Sequence, residues 1–212
     1  MADAIHYFRV YHPGNVFASL LVLYLQCLRN HQPVVYGKSC HSILVTVKIH
    51  VLTTGGTIEK VYSEQTGTVL NVAARINHYL ELLRLPETQV EVTQIMNKDS
   101  LEMTDQDRNE ILSAARARIA DAPVVITHGT DTMVDTGKLL KHSLADLKYP
   151  VILTGAMTPL GFERSDGLQN LTESFFAART LAPGVWIVLH NQAFDVEHVR
   201  KDRNLARFVA VD

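Results

Sequence analysis

The chain has 212 residues, 47% of them hydrophobic and 20% charged, with a formal net charge of −2. That is enough apolar material to bury a substantial core, most simply as one domain with an appendage, and it excludes a chain disordered throughout. Lys, Arg, Asp and Glu are interspersed without a long single-sign block, so there is no electrostatic footprint for nucleic acid or an anionic membrane, and the expected partner is a small molecule.

Residues 1–43 read differently from the rest. Positions 16–25 are almost wholly apolar, but a bilayer-spanning helix takes about 20 such residues. Arg9 is the sole basic residue before this run and no small-x-small cleavage site follows Leu25, which speaks against a secretory leader. Pro13, Gly14, Pro33 and Gly37 interrupt any regular pattern, so the segment reads as an N-terminal extension, either accessory, disordered or translated from an early start site. Gly37-Lys38-Ser39 resembles the end of a phosphate-binding loop, but Gln32 stands where its first glycine belongs. Cys27 and Cys40 form no CxxC motif and are expected to be plain thiols in a reducing, cytoplasmic setting.

From residue 44 the chain alternates β-rich runs with helical periodicity. This pattern predicts an α/β fold of three layers, a largely parallel sheet with helices on both faces, over residues 44–212. The expected strands are 43–53, 89–95, 123–127, 150–154, 185–190 and 207–211, several of them continuous Val/Ile runs suited to burial on both faces. Between them, Val72, Ile76, Tyr79, Leu80 and Leu83 form one apolar stripe. Ile111, Leu112, Ala115 and Ile119 form another, after a capping-box pattern from Thr104 to Asp107. Two further helices are expected over 131–147, with Leu139, Leu140, Leu144 and Leu147 inward, and 165–181, with Leu168, Leu171, Phe175 and Ala178 inward.

Open α/β sheets bind ligands where the loops leave the carboxyl ends of their strands. The polar clusters lie at those points: Thr53-Thr54-Gly55-Gly56-Thr57, Asn97-Lys98-Asp99-Ser100, His128-Gly129-Thr130-Asp131-Thr132, and the segments 155–164 and 190–204. All five are expected to face one crevice. A threonine nucleophile there needs backbone freedom, a base and oxyanion donors. Gly55 and Gly56 offer the first, and a lysine buried beside hydroxyls and held by a carboxylate offers the second, with Lys201 and Asp131 as candidates. A single such turn would ordinarily be a tight turn with Thr57 as a helix cap, but two matched hydroxyl-rich turns favour a shared site. His128 reads as a structural partner. His190 and His198 match no metal-ligand spacing, and no GxGxxG motif follows a strand.

Through TTGGTIE at 53–59, HGTDTM at 128–133, TGAM at 154–157 and SDG at 165–167, the chain from about Val47 onward resembles the bacterial-type L-asparaginase family. The resemblance implies hydrolysis of the side-chain amide of L-asparagine to L-aspartate and ammonia, with no cofactor and no metal. It puts Thr57 at the nucleophile position, Thr130, Asp131 and Lys201 in a second catalytic cluster, and Tyr62 at the mobile-loop tyrosine. It assigns the amino acid's α-carboxylate and α-amino groups to Ser100 and Asp131, with Asp99 beside them and Gly56 and Gly129 in the substrate-binding turns. Leu101 departs from the polar residue usual there. The family's smaller C-terminal domain does not follow within this sequence, and a homo-oligomer is implied. The alternatives are a glutamine preference, a non-catalytic amino-acid-binding module, and the ammonia-supplying portion of a transfer-RNA amidotransferase.

Overall fold

Buried or half-buried runs rich in Val, Ile, Leu and Thr carry the architecture of the computed structural model, which describes residues 46–71 and 75–211. The extension 1–43, both cysteines and Val72 lie outside the described residues. Strands β1 (Val47–Gly55), β4 (Thr88–Lys98), β5 (Val124–Thr127), β6 (Pro150–Thr154) and β7 (Gly184–Leu189) form a parallel sheet, and β8 (Gln192–Asp195) adds an antiparallel edge. The order is β4-β1-β5-β6-β7-β8. All residues of β5 and β6 are buried, as expected for strands covered on both faces.

Helices α2 (Asp105–Arg116) and α3 (Met133–Ser143) cover one face, where Ile111, Leu112, Ala115 and Leu140 pack with Leu52, Ile126 and Leu153. On the other face, α1 (Ile76–Leu80) and α4 (Gly167–Thr180) bring Ile76, Tyr79, Leu171 and Phe175 against Ile49, Val51, Val125 and Ile152. Alternate residues of each strand thus feed opposite cores, the period-two rule for a two-sided sheet. The three-layer α/β expectation is met. The stripe at 72–83 forms a helix of five residues, with Glu81, Leu82 and Leu83 in hydrogen-bonded turns after it.

The run at 207–211 is a correction. As β10 (Arg207–Ala210) it pairs antiparallel with β9 (Val199–Asp202) in a separate two-stranded sheet, not in the main one. Strands β8 and β9 fall within the polar segment 190–204, and β2 (Val61–Ser63) pairs with β3 (Thr68–Leu70) around Gly67 at φ 66°. These strands have three or four residues and no Val/Ile run, so their pattern is indistinguishable from a loop.

The strand order contains one reversal. From β1 the chain moves out to β4 at the edge, then returns over α2 to β5 on the other side of β1. The carboxyl ends of β1 and β5 therefore flank the switch point, where open α/β sheets leave a crevice.

At the start of α2, Thr104 and Asp107 form the expected reciprocal capping box, and Lys98 Nζ reaches Asp107 at 2.6 Å. Thr104→Ala is expected to lower stability by about 1 kcal/mol in urea unfolding. The Lys98 ammonium, with the Thr104 amide, pulls the Asp107 carboxyl down to about 2. Its contribution is therefore whole above the ordinary carboxylate value near 4 and is lost as pH falls from about 4 to about 2. Melting temperatures of wild type and Asp107→Asn should converge over that window; a gap undiminished at pH 2 would refute the pairing.

Candidate active site

The turn after β1 is shaped by two glycines. The β1–β4 register shifts between Thr53 and Gly55, a local irregularity of the kind that re-aims a strand end. Gly55 has φ 98°, and Gly56 has φ 78° with ψ −175°, a region essentially reserved for glycine. The Gly56 amide donates to Lys98 O at 2.8 Å, and Asn71 Nδ2 donates to Gly56 O at 2.9 Å and to Asn97 Oδ1 at 3.0 Å. A single 3₁₀ turn, Thr57–Glu59, follows and leaves Thr57 half-buried.

This turn meets the one after β5 backbone to backbone. A Cβ on Gly56 would lie 2.3 Å from the amide nitrogen of Gly129, and one on Gly129 would lie 2.5 Å from Ser100 Oγ. Thr132 Oγ1 completes the junction by donating to Ser100 O at 2.9 Å. Behind them, a Cβ on Gly155 would strike His128 O at 2.3 Å. Four of the five polar segments are thereby in direct contact.

The fifth arrives from β9. Lys201 Nζ donates to Thr130 Oγ1 at 2.7 Å and to Asp131 Oδ1 at 3.1 Å. Thr130 is buried, the Asp131 and Lys201 side chains are mostly so, and Arg203 adds a 3.0 Å contact to the same Asp131 oxygen. Across the crevice, Lys60 Nζ reaches Asp99 Oδ2 at 2.5 Å, and Leu101 N donates to Asp99 Oδ1 at 3.0 Å. Burial pushes the Asp99 carboxyl up. The Lys60 and Leu101 hydrogen bonds and the charges of Lys60 and Lys201 outweigh it and hold Asp99 below its ordinary value.

His128 is fully buried between Gly129 O at 2.8 Å and Thr136 Oγ1 at 2.9 Å. A carbonyl can only accept, so Nδ1 carries the proton and Nε2 accepts from Thr136. Desolvation lowers its pKa to about 4, and neutral His128 is a strut between the turn and α3. In SDG, Asp166 accepts from the Met157 and Thr158 amides and from His190 Nε2 at 2.8 Å, which fixes the 155–164 loop. Tyr62 lies on β2 with 59% of its surface exposed; no hydrogen bond joins it to the cluster among the described residues.

Five of these partners, Lys60, Asn71, Thr136, Asp166 and Arg203, had no role that the sequence alone assigned. SDG was a visible signal for Asp166, whereas Lys60 and Arg203 look like ordinary surface charges until their partners are known. A cavity of about 590 Å³ lined by Leu85, Phe175, Phe176 and Arg179 opens beside the start of β4, at the end of the strands away from this chemistry.

The family model for the N-terminal asparaginase domain matches residues 48–209. The chain belongs to the asparaginase family. L-asparaginase 1 of Escherichia coli is 37% identical over 138 residues, covering 61% of this chain and 40% of that protein. A subunit of the glutamyl-tRNA(Gln) amidotransferase of Thermoplasma acidophilum is 31% identical over 149 residues, covering 70% of this chain and 36% of the relative. The solved thermostable L-asparaginase of Thermococcus kodakarensis superposes with a TM-score of 0.71 at 30% identity, over 77% of this chain and 51% of that one. The chain spans about half the length, or less, of these family members. Among the described residues no helix is long and apolar enough to cross a membrane.

Gly56→Ala tests the backbone contact that assembles the family's two turns. A strained φ/ψ of this kind costs about 1–3 kcal/mol, and the clash with Gly129 adds to it. The variant should melt well below wild type by circular dichroism, and an unchanged melting temperature would show that the turns are not in contact.

Proposed function

We propose that the chain hydrolyses the side-chain amide of L-asparagine to L-aspartate and ammonia, with Thr57 as the nucleophile. The observation that carries this reading is Lys201 Nζ lying 2.7 Å from Thr130 Oγ1 and 3.1 Å from Asp131 Oδ1, on a turn whose Gly129 abuts the Gly56–Thr57 turn. Membership of the asparaginase family supports it.

Thr57 Oγ attacks the amide carbon while its proton passes through a neighbouring hydroxyl or water to Lys201, which acts in its neutral amine form. Backbone amides of the apposed turns stabilise the oxyanion. Collapse expels the nitrogen, which takes that proton back from Lys201 and leaves as ammonia, and an acyl-threonine ester remains. A water molecule, deprotonated by the same group, then attacks the ester and releases aspartate with Thr57 restored. Gly56 and Gly129 bring the two turns together as main chain, so that both border the substrate. Ser100 with Asp99, and Asp131, offer donors and acceptors to the α-carboxylate and α-ammonium of a zwitterion. Tyr62 closes over the substrate from its exposed position. Association into a homo-oligomer belongs to the same reading. The relatedness to an amidotransferase that acts on glutamyl-tRNA(Gln) favours a second reading, in which the released ammonia comes from a glutamine-type amide.

Ammonia release from L-asparagine and from L-glutamine is to be measured for wild type, Thr57→Ala and Thr130→Ala. Either substitution is expected to lower turnover at least about a hundredfold, the usual scale for loss of a catalytic group, with little change in melting temperature. Full activity in both variants would end the threonine assignment. Faster turnover of glutamine would select the second reading.

A further inference from the structure

The segment Thr53–Glu59 ends in an acid that the hydrolytic chemistry does not use. Glu59 shares its single 3₁₀ turn with Thr57, yet it is 2% exposed, and both of its carboxyl oxygens are buried without a regular hydrogen bond. The hydroxyls of Thr53 and Thr127 share that condition. Thr53 and Thr127 are register partners on β1 and β5, so their side chains stand on one face of the sheet, the face that carries Val51 and Val125 into the α1–α4 core. The Glu59 carboxyl neighbours the Thr127 hydroxyl without forming a regular hydrogen bond, and that hydroxyl holds back part of an upward pKa shift to about 7 caused by burial.

Buried polar atoms are nearly always paired, and four unpaired ones at one place call for a physical account. Among the described residues no neighbouring charge supplies it. Lys60 on the same turn is held by Asp99, and Asp166 at the start of α4 is held by His190 and the Met157 and Thr158 amides. Arg75, just before α1, lines a small cavity with Glu59 and Tyr79 but does not pair with the carboxyl. His128, the residue after Thr127, is occupied by Gly129 and Thr136. The carboxylate could accept from the Thr127 hydroxyl, but burial outweighs that contact and favours the neutral acid, so ionisation sets the buried group against its surroundings. The placement matters because Thr127 leads directly into the His128–Thr132 turn, two residues before Gly129.

The geometry points to Glu59 as a positioning residue of the hydrolytic site: a buried carboxylic acid that ties the Thr57 turn to the strand feeding the Thr130 turn, and loosens that tie when it ionises. This role rests on the amidohydrolase reading above. A purely structural Glu59 would be a poor solution, since an apolar side chain of similar size fills such a site without an unpaired acid.

Turnover and affinity are to be measured from pH 6 to 9 for wild type, Glu59→Gln and Glu59→Leu. In wild type, kcat should fall as pH rises through about 7, the neutral acid being the working form; Glu59→Gln, which cannot ionise, should keep its KM and lose that decline. Glu59→Leu should melt at or above the wild-type temperature at pH 8, yet lose at least about tenfold in kcat with KM little changed, the signature of a displaced catalytic group. A wild-type kcat in Glu59→Leu, or a Glu59→Gln profile superimposable on wild type, would overturn the role. Should wild type release no ammonia, the amidohydrolase reading fails, and the tie is judged by amide hydrogen exchange of residues 55–59 and 127–130. Protection there should drop between pH 6 and 8 in wild type beyond the intrinsic rate increase and stay constant in Glu59→Gln; equal behaviour in both would refute it.

Discussion

Backbone contact between Gly56 and Gly129 is the constraint on which the site depends. Neither position leaves room for a Cβ, so the turns after β1 and β5 approach each other as main chain, more closely than any pair of side-chain-bearing residues could. The topology makes the meeting possible, because β1 and β5 are neighbours in the sheet and the chain reverses its direction of travel between them. Their hydroxyls then converge without either strand having to bend into the crevice. Ser100 packs on the same glycine from a third strand end, so the missing side chain at Gly56 serves one junction and that at Gly129 the other.

Electrostatics organises what the glycines bring together. Three lysines reach the crevice or its margin and each meets a carboxylate: Lys201 with Asp131, Lys60 with Asp99, and Lys98 with Asp107. Partial burial strengthens such pairs while leaving them open to exchange with a ligand. His128 and Asp166 stand outside that exchange. One is held neutral between a carbonyl and a hydroxyl, the other is saturated by two amides and an imidazole, and both stiffen the loops they join.

The order of strands and helices was largely legible in the sequence because buried parallel strands such as Val124–Thr127 and Pro150–Thr154 must be apolar on both faces, and Thr104 with Asp107 announces a helix start by local chemistry alone. The hairpins escaped notice for an equally physical reason. Val199–Asp202 and Gln192–Asp195 are short and largely polar, and what makes them strands is a partner elsewhere in the chain. Lys201 illustrates the difference: in the sequence it belongs to the charged run Arg200-Lys201-Asp202-Arg203, whereas pairing with Phe208 in the β9–β10 hairpin accompanies its reach to Thr130.

The sequence by itself determined the layered α/β class, the family, and which hydroxyl-bearing turns stand at strand ends, since those follow from periodicity, glycine content and contiguous motifs. Only the tertiary structure decided that Lys60 meets Asp99, that Arg203 joins Lys201 on Asp131, and that Glu59 lies buried in the Thr57 turn beside Thr127. Each of those contacts links residues far apart in the chain, and no local pattern encodes a distance that depends on how strands are ordered across a sheet.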